Sequence, residues 1–426
     1  MEKSKKPPNK MLEPWLPAIP KTWKCSRIKN VSSLSPGFSG SKPDPEEICC
    51  VVPMENMSQA GTIDLGGLLP YKEVKDGLTL FEAGDVLFAK ITPCMENGKG
   101  AFVPRLPTRY AFGSTEFHVL RPFGKVDPRF LYYYTFNSVF RAYAAENMSG
   151  AAGQKRVSSR FLKETILFLP ELLEQQRIAA YLDKTCAAID AAVASKRKQI
   201  ELLSQIFYSE MNKVFSNTSF PWVRIKNISL KIGSGVTPEG GATVYQDKGI
   251  PFLRSQNIHF DGLKLEDVAF ISEEIHNSMK NSQLQPGDVL VNITGASIGR
   301  CTCLPANFSE GNVNQHVCII RPNHQVNSKF LAYFLASPLG QSQIFSSFTG
   351  ASRQGLSHKE LGLIKFPLPS FPEQCSIAEN IELRKNCASL LRFNINAQID
   401  TLLSLRKSLI HECVTGLRKI DEAQAT

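Results

Sequence analysis

Hydrophobic and polar positions follow two regimes along this 426-residue chain. In the first, short β-branched runs are punctuated by glycine and proline. Asp85–Ile91 and Asp288–Ile293 each follow a glycine, which predicts strands entered through tight turns. Val119–Leu120 and Val317–Ile320 are similar runs, ended by Pro122 and Pro322. Asp127–Met148 and Asn327–Phe348 carry apolar residues at helical spacing behind an Asp or Asn cap, so each predicts a helix. A glycine-containing polar loop and a short strand (Ile166–Pro170, Ile364–Pro367) complete the pattern. The expected product is a compact mixed α/β domain with a β-rich core.

The second regime lacks Gly and Pro altogether. From Glu174 to Val214, apolar residues recur at Ile178, Leu182, Ile189, Val193, Ile200, Leu203 and Phe207. From Glu373 to Val414 they recur at Ile377, Ile381, Ile395, Ile399, Leu402, Leu409 and Cys413. Spacings of three, four and seven predict long amphipathic helices with a coiled-coil seam. A helix of about 40 residues is roughly 60 Å long and does not persist alone in water. The simplest cover is the other helix, as an antiparallel pair; the alternative is a helix lying flat on its own domain. The tail from Lys419 to Thr426 reads as disordered.

Both regimes occur twice, about 200 residues apart. Arg27–Val31 recurs as Arg224–Ile228, and Glu55-Asn56-Met57 as Gln256-Asn257-Ile258. Gly84–Leu87 recurs as Gly287–Leu290, followed by Ile91-Thr92 and Ile293-Thr294 respectively. Leu120–Pro122 matches Ile320–Pro322, and Phe130-Leu131 matches Phe330-Leu331. Leu169-Pro170, Glu174-Gln175 and Ile178-Ala179 match Leu368-Pro369, Glu373-Gln374 and Ile377-Ala378. Each match is short, but their common order and near-constant offset establish an internal duplication.

Composition narrows the classes. A net charge of +10 favours a polyanionic partner, because each Lys or Arg meeting a phosphate releases a counterion. No apolar run approaches the roughly 20 residues of a membrane span. Met1–Pro20 is basic and proline-rich, without the apolar stretch of a secretory signal. The 11 cysteines form no C-x-x-C pair and lack metal-ligand spacing, so they read as small buried hydrophobes in a reducing cytosol, and no metal is expected.

Two similar domains joined by paired helices suit a reader of two short DNA tracts separated by a spacer. The polar loops supply candidate contacts. In the first copy these are Lys90, Thr92, Lys99, Arg105, Arg109, Gln154, Lys155 and Arg156. In the second they are Lys231, Ser234, Thr237, Arg254, Gln256, Asn257, Thr294, Ser297, Arg300, Asn314, Gln315, His316, Ser352, Arg353 and Gln354. Arg, Lys, Asn and Gln make bidentate bonds with guanine and adenine edges, whereas hydroxyls and backbone N–H groups hold phosphates. The Gly233-Ser234-Gly235 stretch is expected first as a turn and only second as a phosphate cradle.

These motifs resemble those of the specificity subunits of type I restriction-modification enzymes. The resemblance rests on Gly233–Pro238, Pro286–Leu290 with its counterpart Gly84–Leu87, Asn314–His316, and the Leu-Pro-x-x-x-Glu-Gln-x-x-Ile-Ala start of each long helix. It covers about residues 19–417. It implies two pseudo-symmetric mixed α/β (α+β) target recognition domains, 19–172 and 218–371, separated by long antiparallel coiled-coil helices, 173–217 and 372–417, with tails 1–18 and 418–426. It further implies a non-catalytic, cytoplasmic DNA-binding subunit of a bacterium or archaeon. Each domain would read half of an asymmetric site. Two methyltransferase subunits and, through them, restriction/translocase subunits would dock, bringing the S-adenosylmethionine, ATP and Mg²⁺ that this chain itself does not bind. The first copy departs mildly, with Ser32–Ser41 in place of the Gly-Ser-Gly stretch and Ser114-Thr115-Glu116 in place of Asn-Gln-His. A related methylation-only or phage-exclusion system is an alternative setting.

Enzymatic readings find little. The only Pro-Pro pair is Pro7-Pro8, far from an Asp/Asn-Pro-Pro-aromatic methyltransferase motif, and neither a Gly-x-Gly-x-x-Gly loop nor a P-loop is present. Asp44 with Glu73 and Lys75 has the order of a Mg²⁺-dependent nuclease, but in one copy only. A scaffold without sequence preference is the third class.

Overall fold

The computed structural model describes residues 19–151, 153–217, 219–346 and 355–425. The expected N-terminal tail 1–18 lies outside them. The chain divides into two compact units, Met1–Lys196 with Ala397–Thr426, and Arg197–Asn396.

In the first unit, four antiparallel strands stand in the order Ser32–Leu34, Phe117–Pro122, Val86–Ala89, Gly100–Phe102. A second sheet has the order Gly67–Pro70, Ile48–Val52, Ala111–Gly113, Thr79–Phe81, with its central pair parallel. Leu87, Ala101 and Val119 of one sheet share a core with Cys50, Val52 and Ala111 of the other. In the second unit, Ser229–Ser234, Val317–Pro322, Val289–Asn292 and Cys301–Cys303 repeat the four-stranded order. There the period of two divides the strands between two cores. Leu290 and Ile319 face the second sheet's Leu253 and Val313. Val289, Val291, Cys318 and Ile320 face the helix Ser328–Ala336. Burial on both faces explains why these strands read as unbroken apolar runs.

One ion pair recurs inside both sheets. Arg121 grips Asp85 with two bonds of 2.8 Å. Arg321 grips Asp288 at 2.7 and 2.8 Å. Each carboxylate also accepts a backbone N–H, from Glu82 and Gln285 respectively. Both Asp side chains are buried, so losing the arginine would strand a charge, at about 3–5 kcal/mol. The repeated Gly-Asp-Val-Leu and Arg-Pro motifs are therefore framework.

The single helices expected at Asp127–Met148 and Asn327–Phe348 are each broken in two: Pro128–Phe136 then Ser138–Glu146, and Ser328–Ala336 then Pro338–Ser346. Asn137 leaves helical geometry and its side chain caps the Val139 N–H at 2.9 Å. Ser337 does so because the ring of Pro338 disfavours the helical region for the preceding residue.

The long helices run Leu172–Phe215 and Phe371–Val414, 44 residues each. Within the second unit, Ser204 meets Arg392 at 2.8 Å and Glu210 meets Arg384 at 3.1 Å. Partner numbers fall as helix numbers rise, so the pair is antiparallel. Within the first unit, Asp190 meets the buried Arg406 at 3.2 Å. The tail expected to be disordered instead contains a helical turn, Glu422–Ala425, where Arg177 pairs with Glu422.

A buried glutamine joins each long helix to its domain. The Gln175 carbonyl accepts the Asp127 N–H at 2.9 Å, and its amide donates to the Lys125 and Pro170 carbonyls. Gln374 repeats this with the Asn327 N–H and the Gln325 and Pro369 carbonyls. Replacing either with Ala removes all three bonds and leaves the buried Pro170 or Pro369 carbonyl without its side-chain partner. The expected loss is about 2–4 kcal/mol in the unit concerned, followed by chemical denaturation. Gln205→Ala, on an exposed helix face, should cost less than about 0.5 kcal/mol; equal losses would show that the buried amides add nothing.

Candidate nucleic-acid interface

In the second unit, polar loops gather at one end of the central strand Val289–Asn292. The Thr237 hydroxyl donates to the Gln315 carbonyl. The Gln315 amide lies 3.2 Å from His316 Nε2, and His316 Nδ1 is 2.6 Å from Thr294 Oγ1. Thr237 and Gln315 are exposed, while Thr294 and His316 are half-buried. Exposed Gln256 and half-buried Arg300 lie on the adjoining turns. Ser352, Arg353 and Gln354 lie outside the described residues, but Leu356, just after them, donates to the Ile293 carbonyl at 2.8 Å.

Other candidates are engaged within the protein. Asn257 is 1% exposed, caps the Arg254 N–H and donates to the Lys264 carbonyl. Asn314 is buried, and its carbonyl accepts the His316 N–H at 3.1 Å, shaping the turn. Lys231 donates to the Asn281 carbonyl at 2.6 Å, and burial lowers its pKa. Arg254 donates to the Asp267 carbonyl at 2.8 Å. Ser297 lies 3.1 Å from the Asn292 amide. The Gly-Ser-Gly stretch is not a turn. Gly233 and Ser234 end a strand, with Ser234 opposite Cys318, and a Cβ on Gly235 would lie 1.7 Å from the Val313 carbonyl oxygen. Glycine serves there to let two backbones cross, so the phosphate-cradle reading loses its basis.

In the first unit, Lys90, Thr92, Gln154, Lys155 and Arg156 come together. Arg156 pairs with Ile91 and Ser149 as isolated bridges. Thr92 holds the loop through Gly153 and Lys155 at 3.2 Å each. Arg156 is committed to Glu116 through contacts of 2.8–3.1 Å, and this pair lowers the Glu116 pKa. Gln154 and Lys155 are exposed and Lys90 is half-buried. Lys99 donates instead to the Met54 carbonyl at 2.8 Å. Arg109 stacks on Tyr110, 4.9 Å from the ring centre, and reaches Ser41; Arg105 lies exposed on the same loop.

The ladders align the copies differently from the sequence match. Lys90 donates to the Glu116 carbonyl and accepts from Val157, as Ile293 does with His316 and Leu356. Ile91 therefore corresponds to Thr294, one residue from the match between Ile-Thr pairs. Glu116 with Arg156 occupies the place of His316, so equivalent framework carries unlike chemistry.

Two residues escaped the sequence reading. His118 is buried and lies 2.8 Å from the Val157 carbonyl, directly behind the polar loop. Asn292 ends the buried strand of the second unit. The signal for both was a polar residue in an apolar strand run. Asp44, Glu73 and Lys75 are all exposed, and among the described residues no group of three His, Cys, Asp or Glu side chains could hold a metal ion.

Burial, reinforced by Lys90, pushes the His118 imidazole below its ordinary 6.5, against the opposing Val157 bond and Glu116. The unfolded chain therefore binds this proton more readily than the folded one. The stability from neutral His118 is complete above about pH 6.5 and is lost as pH falls below it. Thermal melting between about pH 7 and pH 5 should fall with acidification in the parent and fall less in His118→Gln. Parallel slopes would assign the effect to another group.

Against known proteins, the family described as type I restriction modification DNA specificity domain matches residues 20–202 and again 221–401. The EcoAI specificity subunit of Escherichia coli is 33% identical over 38% of this chain and 27% of its own length. The EcoBI specificity subunit of Escherichia coli is 27% identical over 62% of this chain and 60% of its own. The matches thus span less than two thirds of either relative. A chain solved in work on complex assembly and conformational transition of the type I R-M system is 19% identical, with a TM-score of 0.76 over 93% of this chain and 98% of that one. It shares the fold. With the family's domain matched twice and over most of its length, this chain belongs to the type I restriction-modification DNA specificity family.

Proposed function

We propose that the protein is the DNA-reading subunit of a type I restriction-modification complex, and that its two domains read the unlike halves of an asymmetric bipartite site. The observation that carries this is the pairing of a repeated hydrogen-bonded framework with divergence at the polar loops. The bonds from Arg121 to Asp85 recur from Arg321 to Asp288, and those of Gln175 recur at Gln374. The loop ends are not: one presents Gln154 and Lys155 beside a Glu116–Arg156 pair, the other Thr237, Gln315 and His316. Base edges are told apart by side chains of this kind, and the net charge of +10 supplies phosphate attraction.

Two methyltransferase subunits, and restriction/translocase subunits with them, complete the proposed complex in the cytoplasm and bring S-adenosylmethionine, ATP and Mg²⁺. Support comes from the second long helix, whose Leu383, Leu390 and Phe393 are 62–70% exposed, an apolar surface suited to partner subunits.

Exchanging residues 19–172 for those of another family member should change one half of the target and leave the other. Sequencing of methylated adenines in cells carrying the exchange reads the outcome, and a change in both halves or neither would sink the two-domain reading. We also propose that the helix pair sets the unread spacer. Four extra residues after Lys196 and four after Asn396 add roughly one turn, about 5.4 Å, to each helix. The methylated motif should then gain one or two spacer base pairs, at about 3.4 Å each; an unaltered spacer would refute the helices as its determinant.

A further inference from the structure

We infer that Asn292 is a positioning residue for base readout by the second unit: its side chain braces together the two turns that present that unit's polar groups. The inference rests on the DNA-reading role proposed above.

Asn292 ends a strand whose other residues, Val289, Leu290 and Val291, are all apolar and buried. It is itself 0% exposed. Its amide donates to the Ser255 carbonyl at 2.8 Å and lies 3.1 Å from Ser297 Oγ. Ser255 opens the turn Ser255–Asn257, whose Gln256 is exposed. Ser297 ends the turn Gly295–Ser297, which follows Thr294 and precedes Arg300. The backbone of Asn292 closes this second loop too, donating to Arg300 and accepting from Gly299. One residue thus ties two loops from different parts of the sequence.

Its burial argues that the tie is the reason for an asparagine here. Among the described residues its Oδ1 has no hydrogen-bond partner, and an unpaired buried carbonyl is destabilising. A strand end that only needed filling would do better with a small apolar side chain. The first unit has one: Ala89 stands opposite Phe117 as Asn292 stands opposite Val317. The brace belongs to one copy, so it is not part of the shared framework. Recognition groups must be held to within a fraction of an ångström to discriminate bases, and a tie between their supporting turns provides this.

The test uses the full chain in its assembled complex and a library of duplex oligonucleotides with a randomised core, with bound molecules sequenced. The parent should select two short tracts around an unread spacer. Exchanging residues 218–371 identifies the tract of the second unit. Asn292→Ala should reduce base preference in that tract about tenfold while the other tract stays sharp, which also shows that the variant is folded. Ser297→Ala, which removes one of the two ties, should broaden the same tract less, and the double variant should be no worse than Asn292→Ala alone. An unchanged second tract in either single variant, equal broadening of both tracts, or additive effects would overturn the brace. Should Asn292→Ala fail to fold, Ser297→Ala decides alone. A parent that selects no pair of tracts would defeat the DNA-reading proposal itself, a result distinct from an indifferent variant of a discriminating parent.

Discussion

The structure depends on a buried amide at the first turn of each long helix. Gln175 and Gln374 each satisfy one backbone N–H and two carbonyls in the segment where a domain hands over to its helix. An unpaired backbone group in such a place is destabilising, and no apolar residue could replace the amide. The bonds also fix direction, because the accepted N–H belongs to Asp127 or Asn327, which caps the domain helix that follows. The long helix therefore leaves the domain at an angle set by hydrogen bonds. That fixes how each long helix leaves its own domain.

The rest of the framework is built to tolerate change at its edge. The Asp–Arg pair and the doubly buried strands hold each sheet from within, independently of the side chains at the strand ends. In the first unit that edge is held by Thr92 and by Arg156 on Glu116. In the second it is held by Thr294 on His316 and by the Asn292 amide. Different ties on one backbone plan allow different groups to face outward. Divergence of this kind suits loops that bind while a rigid scaffold positions them.

Many residues of a type suited to base contact turn out to serve the loops themselves. Asn257 and Asn314 shape turns, Lys99 and Lys231 tether carbonyls, and Arg156 is neutralised by an acid. The outward-facing groups, among them Gln154, Lys155, Thr237, Gln256 and Gln315, are fewer and stand beside these supports.

The sequence by itself determined the duplication, the buried strands Val86–Ala89 and Phe117–Pro122 with their counterparts Val289–Asn292 and Val317–Pro322, and the two long helices, because these follow from periodicity and from the absence of Gly and Pro over some forty residues; the second sheet of each unit carried no such pattern. Even the seam residues Ile178, Leu182, Ile189 and Val193 are buried as their spacing required. Only the tertiary structure decided which polar side chains are free. Gln175 and Gln256 are the same residue type in polar surroundings, yet one is sealed by three backbone bonds and the other faces solvent. The break at Asn137, the crossing at Gly235 and the partners of Asn292 were likewise decided by the fold, since each depends on contacts between segments distant in sequence or on a local competition that periodicity averages away; a polar residue in an apolar run marked Asn292 without naming what it ties. Hydrophobic pattern is a property of a segment, whereas hydrogen-bond satisfaction is a property of the assembled fold.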